Sequence, residues 1–313
     1  MGRYFIRFSY FGTQYRGLQK NVFRNEGIQI HDTDTIQGAV EAAFLKLSPK
    51  CINFPKMTSS SRTDVGVHSL CNSAHIDIEN KYNKIYNPNQ VLRVVNRYFR
   101  SCNHDIRLLE FIPVKENFHA RSLAKSRTYI YRIVKSKYND EHRLPLGEFK
   151  HSFQLKSENF DFERMKRATQ LFVGVKDFTT FSARNVSEKP IRYVRNLNSL
   201  TIENVGPFMP HDPLSENYEY WHIICSSRAF LYNQVRRIVS TLLALGVGKI
   251  TERDINIMLQ VPGHHNWLPQ ILTVPGFGLY LANVEYCQEE LDQYIIKYKF
   301  SPDSELVDLI DVN

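Results

Sequence analysis

The densest chemistry in this sequence lies in residues 59–70, SSSRTDVGVHSL, where Arg62 and Asp64 stand two residues apart and Gly66 and His68 follow. A carboxylate carried on a turn beside a glycine is presented to a cleft instead of being buried on a strand face. To stay ionised in a partly dry pocket it needs a cation within a few ångströms. On an extended chain Arg62 points the same way as Asp64, so it is placed to pair with it or to reach a phosphate. Taken alone, the same residues also describe an Asx-type turn, with Asp64 bonding to backbone and Arg62 a surface charge. His68 is an acid or base by type, and a hydrogen-bonded structural histidine is the simpler reading. Ser59, Ser60 and Ser61 lack the G-x-S-x-G elbow of a hydrolase nucleophile. A glycosidase would need a second carboxylate paired with Asp64, and none stands at a convincing position. The HDTD stretch at 31–34 and the pair His264–His265 read as polar loops before metal ligands.

The hydrophobic pattern supplies the elements that must hold these groups. Residues 3–10 alternate with Tyr4, Ile6, Phe8 and Tyr10 on one face, a strand. Residues 35–47 carry Ile36, Ala39, Val40, Ala43, Phe44 and Leu47 on one stripe behind a Thr35 cap, a helix. Residues 71–79 alternate as a strand, Asn87-Pro88 opens a helix to about Phe99, and 106–114 is another strand. The second half predicts a strand at 127–134 and a helix at 160–174, capped by Asp161 and ended at Gly174. Paired strands follow at 192–203 and 219–227. A strong helix spans 231–248 with Val235, Ile238, Val239 and Leu242 inward; Thr251 and Asp254 form a capping box; 278–286 closes as a strand. Residues 135–150 and 204–217 read as long surface loops, and no sequence repeat relates the halves. Two α+β halves, each a sheet with helices on one face, are the simplest architecture.

The chain has 313 residues, 42% of them hydrophobic, with a formal net charge of +8. That is material for one large domain or two ordinary ones, and the basic excess favours a polyanionic partner, nucleic acid first. Five scattered cysteines with no CxxC argue against a disulfide framework or a zinc site and for a reducing compartment. No segment is apolar for long enough to span a bilayer, and the N-terminus lacks the apolar core of a secretory signal.

The R-T-D-x-G-V-H run at 62–68 resembles the catalytic motif of the TruA-type tRNA pseudouridine synthases, and its SSRTD form resembles the eukaryotic pseudouridine synthase-like branch of that family. Three more stretches resemble the family's motifs in the same order: Asn117 to Tyr131 (N-FHAR-x-x-A-x-x-R-x-Y-x-Y), 177–183 (DFTTFSA) and 230–237 (FLYNQVRR). The closing GLYL at 278–281 fits as well, so the resemblance runs from Tyr4 to about Tyr286. It implies the pseudouridine synthase fold: α+β, two sheet-plus-helix lobes with RRM/ferredoxin-like halves flanking a central RNA-binding cleft. The expected division is 1–114 with the catalytic aspartate, 115–296 with the tyrosine and arginine, and an acidic tail at 297–313.

The same resemblance implies uridine isomerisation in RNA, most of all in the anticodon stem-loop of tRNA, with no cofactor and no metal. It implies a homodimer, RNA as partner and no membrane, and tilts the compartment toward the mitochondrion over cytoplasm or nucleus. Asp64 would be the catalytic aspartate, attacking the ribose or assisting the base's departure and return. Tyr129 would stack on the uracil, and Arg236 would pair with the aspartate while Arg237 stays a solvated charge. Arg62, with Thr63 beside it, would contact the backbone or fill the space of a flipped nucleotide. Leu279 and Tyr280 would line the pocket. Arg121, Lys125, Arg127, Arg132, Lys135 and Lys137, with Arg192 and Arg195 on a neighbouring strand, would line a phosphate-gripping groove. Phe11 and Leu18 depart from the family's common Asp and Trp, Val65 from its alanine, and the insertion at 25–34 has no clear counterpart. A non-catalytic RNA-binding factor on the same scaffold is the competing reading. Arg121→Ala or Arg195→Ala is expected to weaken RNA binding and to flatten its dependence on salt, measured by filter binding across a salt series; an unchanged slope contradicts the groove.

Overall fold

The computed structural model describes residues 2–20, 32–138, 141, 143–157, 159–183, 190–299 and 304–308. Contacts divide the chain into two units, Met1–Lys125 with Leu281–Asn313, and Ser126–Tyr280. The boundaries therefore fall at 125 and 280, where the sequence pattern suggested 114 and 296, because the closing strand returns to the first unit. Most of the expected insertion, residues 25–31, lies outside the described residues.

In the first unit, β1 (Gly2–Tyr10) leads to α1 (Ile36–Phe44), β2 (Lys56–Ser59), β3 (His68–Ile78), β4 (Ile85–Tyr86), α2 (Pro88–Ser101), β5 (Ile106–Val114) and α3 (Ala120–Leu123). β1 pairs antiparallel with both β3 and β5, and β2 lies along β3. The alternation of β1 works as its pattern demands. Tyr4, Ile6, Phe8 and Tyr10 are buried with Ala39, Val40, Ala43 and Phe44 of α1 and Val91, Val95 and Phe99 of α2. Thr35 accepts from Gly38 N and Asn87 from Asn89 N, so both helices start where the sequence places their caps. The sheet is covered on its other face too. Phe5 meets Phe118, Val114 and Leu291, and Phe118 is wholly buried.

The second unit runs β6 (Ser126–Ser136), β7 (Phe153–Leu155), α4 (Phe162–Ala168), β8 (Gly174–Asp177), β9 (Val194–Val205), β10 (Tyr218–Ser227), α5 (Gln234–Gly246) and α6 (Glu252–Gln260). Its sheet has the order β6-β10-β9-β8, with β7 parallel to β6. Val235, Ile238, Val239 and Leu242 of α5 are buried, and Thr251 and Asp254 close a reciprocal capping box worth about 1 kcal/mol. β11 (Leu279–Glu285) leaves this unit after Tyr280, and α7 (Gln288–Asp292) and β12 (Leu306–Val307) belong to the first.

Three elements differ from expectation. α4 stops at Ala168, and Gly174 opens β8 instead of ending the helix, because 174–177 pairs with β9. The loops at 135–150 and 204–217 are not purely surface: Glu148 and Ser215 are buried. The acidic end is docked over 304–308, where β12 pairs with β4, Val307 is buried and Asn87 N donates to Glu305 O.

Each unit holds a histidine that resists protonation. His75 on β3 accepts from Ala120 N, and burial, with Arg3 nearby, pulls its pKa from 6.5 to about 4. His222 on β10 lies 2.9 Å from Arg132 Nη1, and burial, with that guanidinium, pulls it likewise from 6.5 to about 4. The unfolded chain binds these protons first as pH falls, so both groups favour folding above pH 6.5 and lose that contribution toward pH 4. The His75→Gln/His222→Gln variant should therefore show a shallower fall in urea-unfolding free energy from pH 6.5 down to about 5, above the carboxylate range. Parallel curves for variant and parent would refute this.

Candidate active site

The segment before β3 alternates: Ser61 and Thr63 are buried, Arg62 is exposed and Asp64 is partly exposed. Arg62 and Asp64 are therefore on the side away from the core. What fixes them is the buried side of the turn. Thr63 Oγ1 lies 2.8 Å from Tyr10 Oη, and Asn72 Nδ2 donates to the same phenol and to Ser61 O. Ser60 N donates to Ser73 O, and their hydroxyls are 2.8 Å apart. Burial pushes the Tyr10 phenol up to about 12, so it stays protonated and holds both partners across the physiological range.

A second loop braces the turn. Leu18 N donates to Thr63 O at 3.1 Å. Gly12 N donates to His68 Nδ1 at 3.0 Å, so this wholly buried histidine is a backbone acceptor. A side chain at Gly12 is excluded: its Cβ would sit 2.0 Å from Val67 O. Val67 N closes the turn on Asp64 O, with Gly66 at φ 76°, a conformation that favours glycine. Asp64 is thus held through the backbone of its own turn. The exposed Phe11 packs edge-on to the His68 ring at 5.4 Å.

The other predicted groups lie in the second unit. Tyr129 sits mid-strand in β6 opposite Cys225, 8% exposed, with Phe230 edge-on at 5.1 Å. Arg236 is on the first turn of α5, after Asn233 in the left-handed region at φ 60°. Its Nε donates to Val274 O at 2.7 Å and its Nη1 to Asn233 Oδ1 at 2.9 Å. Ser240 Oγ donates to Arg236 O and accepts from Val274 N. Tyr131, two residues on from Tyr129, donates to Pro275 O at 3.0 Å. The helix and the tyrosine strand thus grip one stretch of chain, 274–275, that leads directly to the buried Leu279.

Several sequence expectations change here. Arg237 is not a solvated charge: it donates to Thr180 O and Ser182 O and lies over the Trp267 ring at 4.6 Å. That contact explains the DFTTFSA stretch, whose Phe178 and Phe181 are buried and whose carbonyls anchor α5. Arg132 is inside, ion-paired with Glu148, instead of on a phosphate-gripping surface. Arg127 is also largely buried and donates to Arg228 O. Arg195, partly buried, donates to Arg192 O and Val194 O, whereas Arg121 is exposed at the end of α3. His264 is a structural bridge between Ser182 O and Tyr193 Oη. Asp32, from the HDTD stretch, accepts from the N and hydroxyl of the cap residue Thr35 through its carbonyl and pairs with Arg16. Among the described residues no group of His, Cys, Asp and Glu is arranged to hold a metal ion, and no helix is long and apolar enough to cross a membrane.

Tyr10, Asn72 and Gly12 escaped the sequence reading as parts of the site. The two glycines of YFGTQYRG were the available signal, since a loop that tightly spaced must approach something closely.

Chemically, the first unit offers a half-exposed carboxylate and a guanidinium on one fixed turn. The second offers a phenol ring in a strand and a guanidinium at a helix start. These are the means for nucleophilic or proton-transfer chemistry on a flat, polar ring. Residues 168–287 match the family model described as tRNA pseudouridine synthase. The chain is 31% identical to "tRNA pseudouridine synthase-like 1" of Xenopus laevis over 93% of its own length and 94% of that relative's. It is 32% identical to the protein of the same name in Homo sapiens, covering 91% and 90%. With "tRNA pseudouridine synthase A" of Agrobacterium fabrum (strain C58 / ATCC 33970) it shares 30% identity, covering 91% and 93%. Similarity at this level, sustained over more than nine tenths of this chain, makes the protein a member of the tRNA pseudouridine synthase family.

Proposed function

We propose that this protein converts uridine to pseudouridine in tRNA, with the anticodon stem-loop as the target region. The observation that carries the reading is the buried frame of Tyr10, Asn72 and Gly12 behind the Asp64 turn, in a chain of this family. So many satisfied hydrogen bonds behind one half-exposed carboxylate are what a preorganised reacting group requires.

The reaction breaks the N1–C1′ bond of uridine, turns the base, and joins C5 to C1′. The C5 proton is lost and N1 regains one, so atoms balance and no redox or energy donor is needed. Asp64 either takes C1′ as a nucleophile or assists departure and return of the base. Arg236 takes the part the resemblance gives it, a planar guanidinium fork suited to a carboxylate. Tyr129 stacks on the uracil and its hydroxyl relays a proton. Leu279 forms the apolar wall. Arg62, beside Asp64 and exposed, grips the RNA backbone or occupies the place of the everted nucleotide. Arg121 and the net charge of +8 contribute long-range attraction to the polyanion. The enzyme works as a homodimer, following the assembly that the resemblance implies.

Release of tritium from [5-³H]uridine-labelled tRNA tests this. Asp64→Asn should lose at least about a thousandfold in rate while RNA affinity stays within about twofold. Tyr129→Phe and Arg236→Lys should each lose a smaller factor, about 10²-fold. Full RNA binding with no tritium release from the parent protein would favour the non-catalytic factor. The frame has its own test. Thr63→Val removes the hydroxyl paired with Tyr10, so it should lower thermal stability by about 1 kcal/mol and slow release at unchanged RNA affinity. An unaltered rate would detach the frame from catalysis.

A further inference from the structure

On β6, Arg132 faces away from Tyr129 and Tyr131, since residues three and one apart on a strand alternate sides. Only 2% of it is exposed, and Glu148 beside it is 1% exposed. The pair is bidentate, Nε to Oε2 at 2.8 Å and Nη2 to Oε1 at 2.7 Å. Arg132 also reaches Gly206 O and His222 Nε2, both at 2.9 Å, with the Phe208 ring 4.1 Å away. Glu148 further accepts from Phe208 N and from Ser152 Oγ. A buried ion pair is tolerable only when matched this fully, and an apolar pair of the same size would stabilise as well, so stability alone does not account for it.

What the pair does fix is a turn. His151 N and Ser152 N both donate to Glu148 O, and His151 O accepts the Tyr280 hydroxyl at 2.8 Å. Phe208, whose ring lies over the Arg132 guanidinium and whose backbone N donates to Glu148, has its ring 6.4 Å from the Tyr280 ring. Tyr280 is thereby bound from two sides, and Leu279 is its immediate neighbour. Together with the grip of Arg236 and Tyr131 on 274–275, both ends of the 274–280 segment are tied down.

We propose that Arg132 and Glu148 are positioning residues for the apolar wall of the nucleobase pocket, acting through the His151 carbonyl and Tyr280 on Leu279. This rests on the isomerase reading above. Tritium release by the full chain is measured for the parent, Tyr280→Phe, Glu148→Gln and the double variant. The expectation is that each single variant lowers kcat by about tenfold, with KM for tRNA within about twofold. The double variant should be no slower than Glu148→Gln, because both act through one hydrogen bond. Tyr280→Phe removes a single hydroxyl, so it decides the matter even where Glu148→Gln fails to fold. Full kcat in Tyr280→Phe, or independent losses that multiply in the double variant, overturn the proposal while an active parent keeps the isomerase reading intact. An inactive parent overturns both.

Discussion

Everything in the first unit converges on one hydrogen bond, between the Thr63 hydroxyl and the buried Tyr10 phenol. A carboxylate presented on a turn has two competing needs: it must face outward, and it must not wander. The chain resolves this by alternation. Ser61 and Thr63 turn inward to buried partners, so Arg62 and Asp64 turn outward with no freedom left in the backbone between them. Tyr10 belongs to the same inward row as Tyr4, Ile6 and Phe8, so the hydrophobic core itself holds the hydroxyl in place. A shift of β1 by one residue would turn that row to the opposite face and remove the support.

The second unit solves a similar problem with charge. Arg236 and Arg237 are adjacent in sequence and diverge in use. One donates to Val274 O, beside the segment that carries Leu279, and the other is fixed by two carbonyls of the DFTTFSA stretch and the Trp267 ring. Consecutive helical residues point about 100° apart, which is what allows one helix start to be anchored and presented at once. Burial lowers the pKa of Arg237; its Nη1 is met by two carbonyls and its guanidinium by the Trp267 ring, while its buried Nε has no hydrogen-bond partner. The motif arginine and its neighbour therefore form one device: a clamp and the group it clamps.

Charge count alone misleads about this protein. The net positive charge points correctly to a polyanion, but Arg127, Arg132 and Arg237 are interior or nearly so. Strand alternation puts Arg132 on the face opposite the buried Tyr131 and Ile133, which by sequence reads as solvent, but that face is closed by Gly206, Phe208 and His222 from far along the chain. Its partner Glu148 is in a stretch that reads as a loop, and nothing local in that stretch shows a buried carboxylate.

The sequence by itself determined the elements with strong periodicity and clear caps: β1, α1, α2, β5, β6, α5 and the Thr251 capping box. Those signals are local, set by side-chain period and by backbone donors within one turn. It also determined, through four ordered motifs, the family. Only the tertiary structure decided that Tyr10 and Asn72 support the Asp64 turn, that His68 accepts from Gly12, that the acidic end docks as β12, and that Arg132 is paired. Each of these depends on a partner many tens of residues distant, or on a face whose burial is set by another element. Local pattern carries no information about which donor meets which acceptor once the chain has folded back on itself.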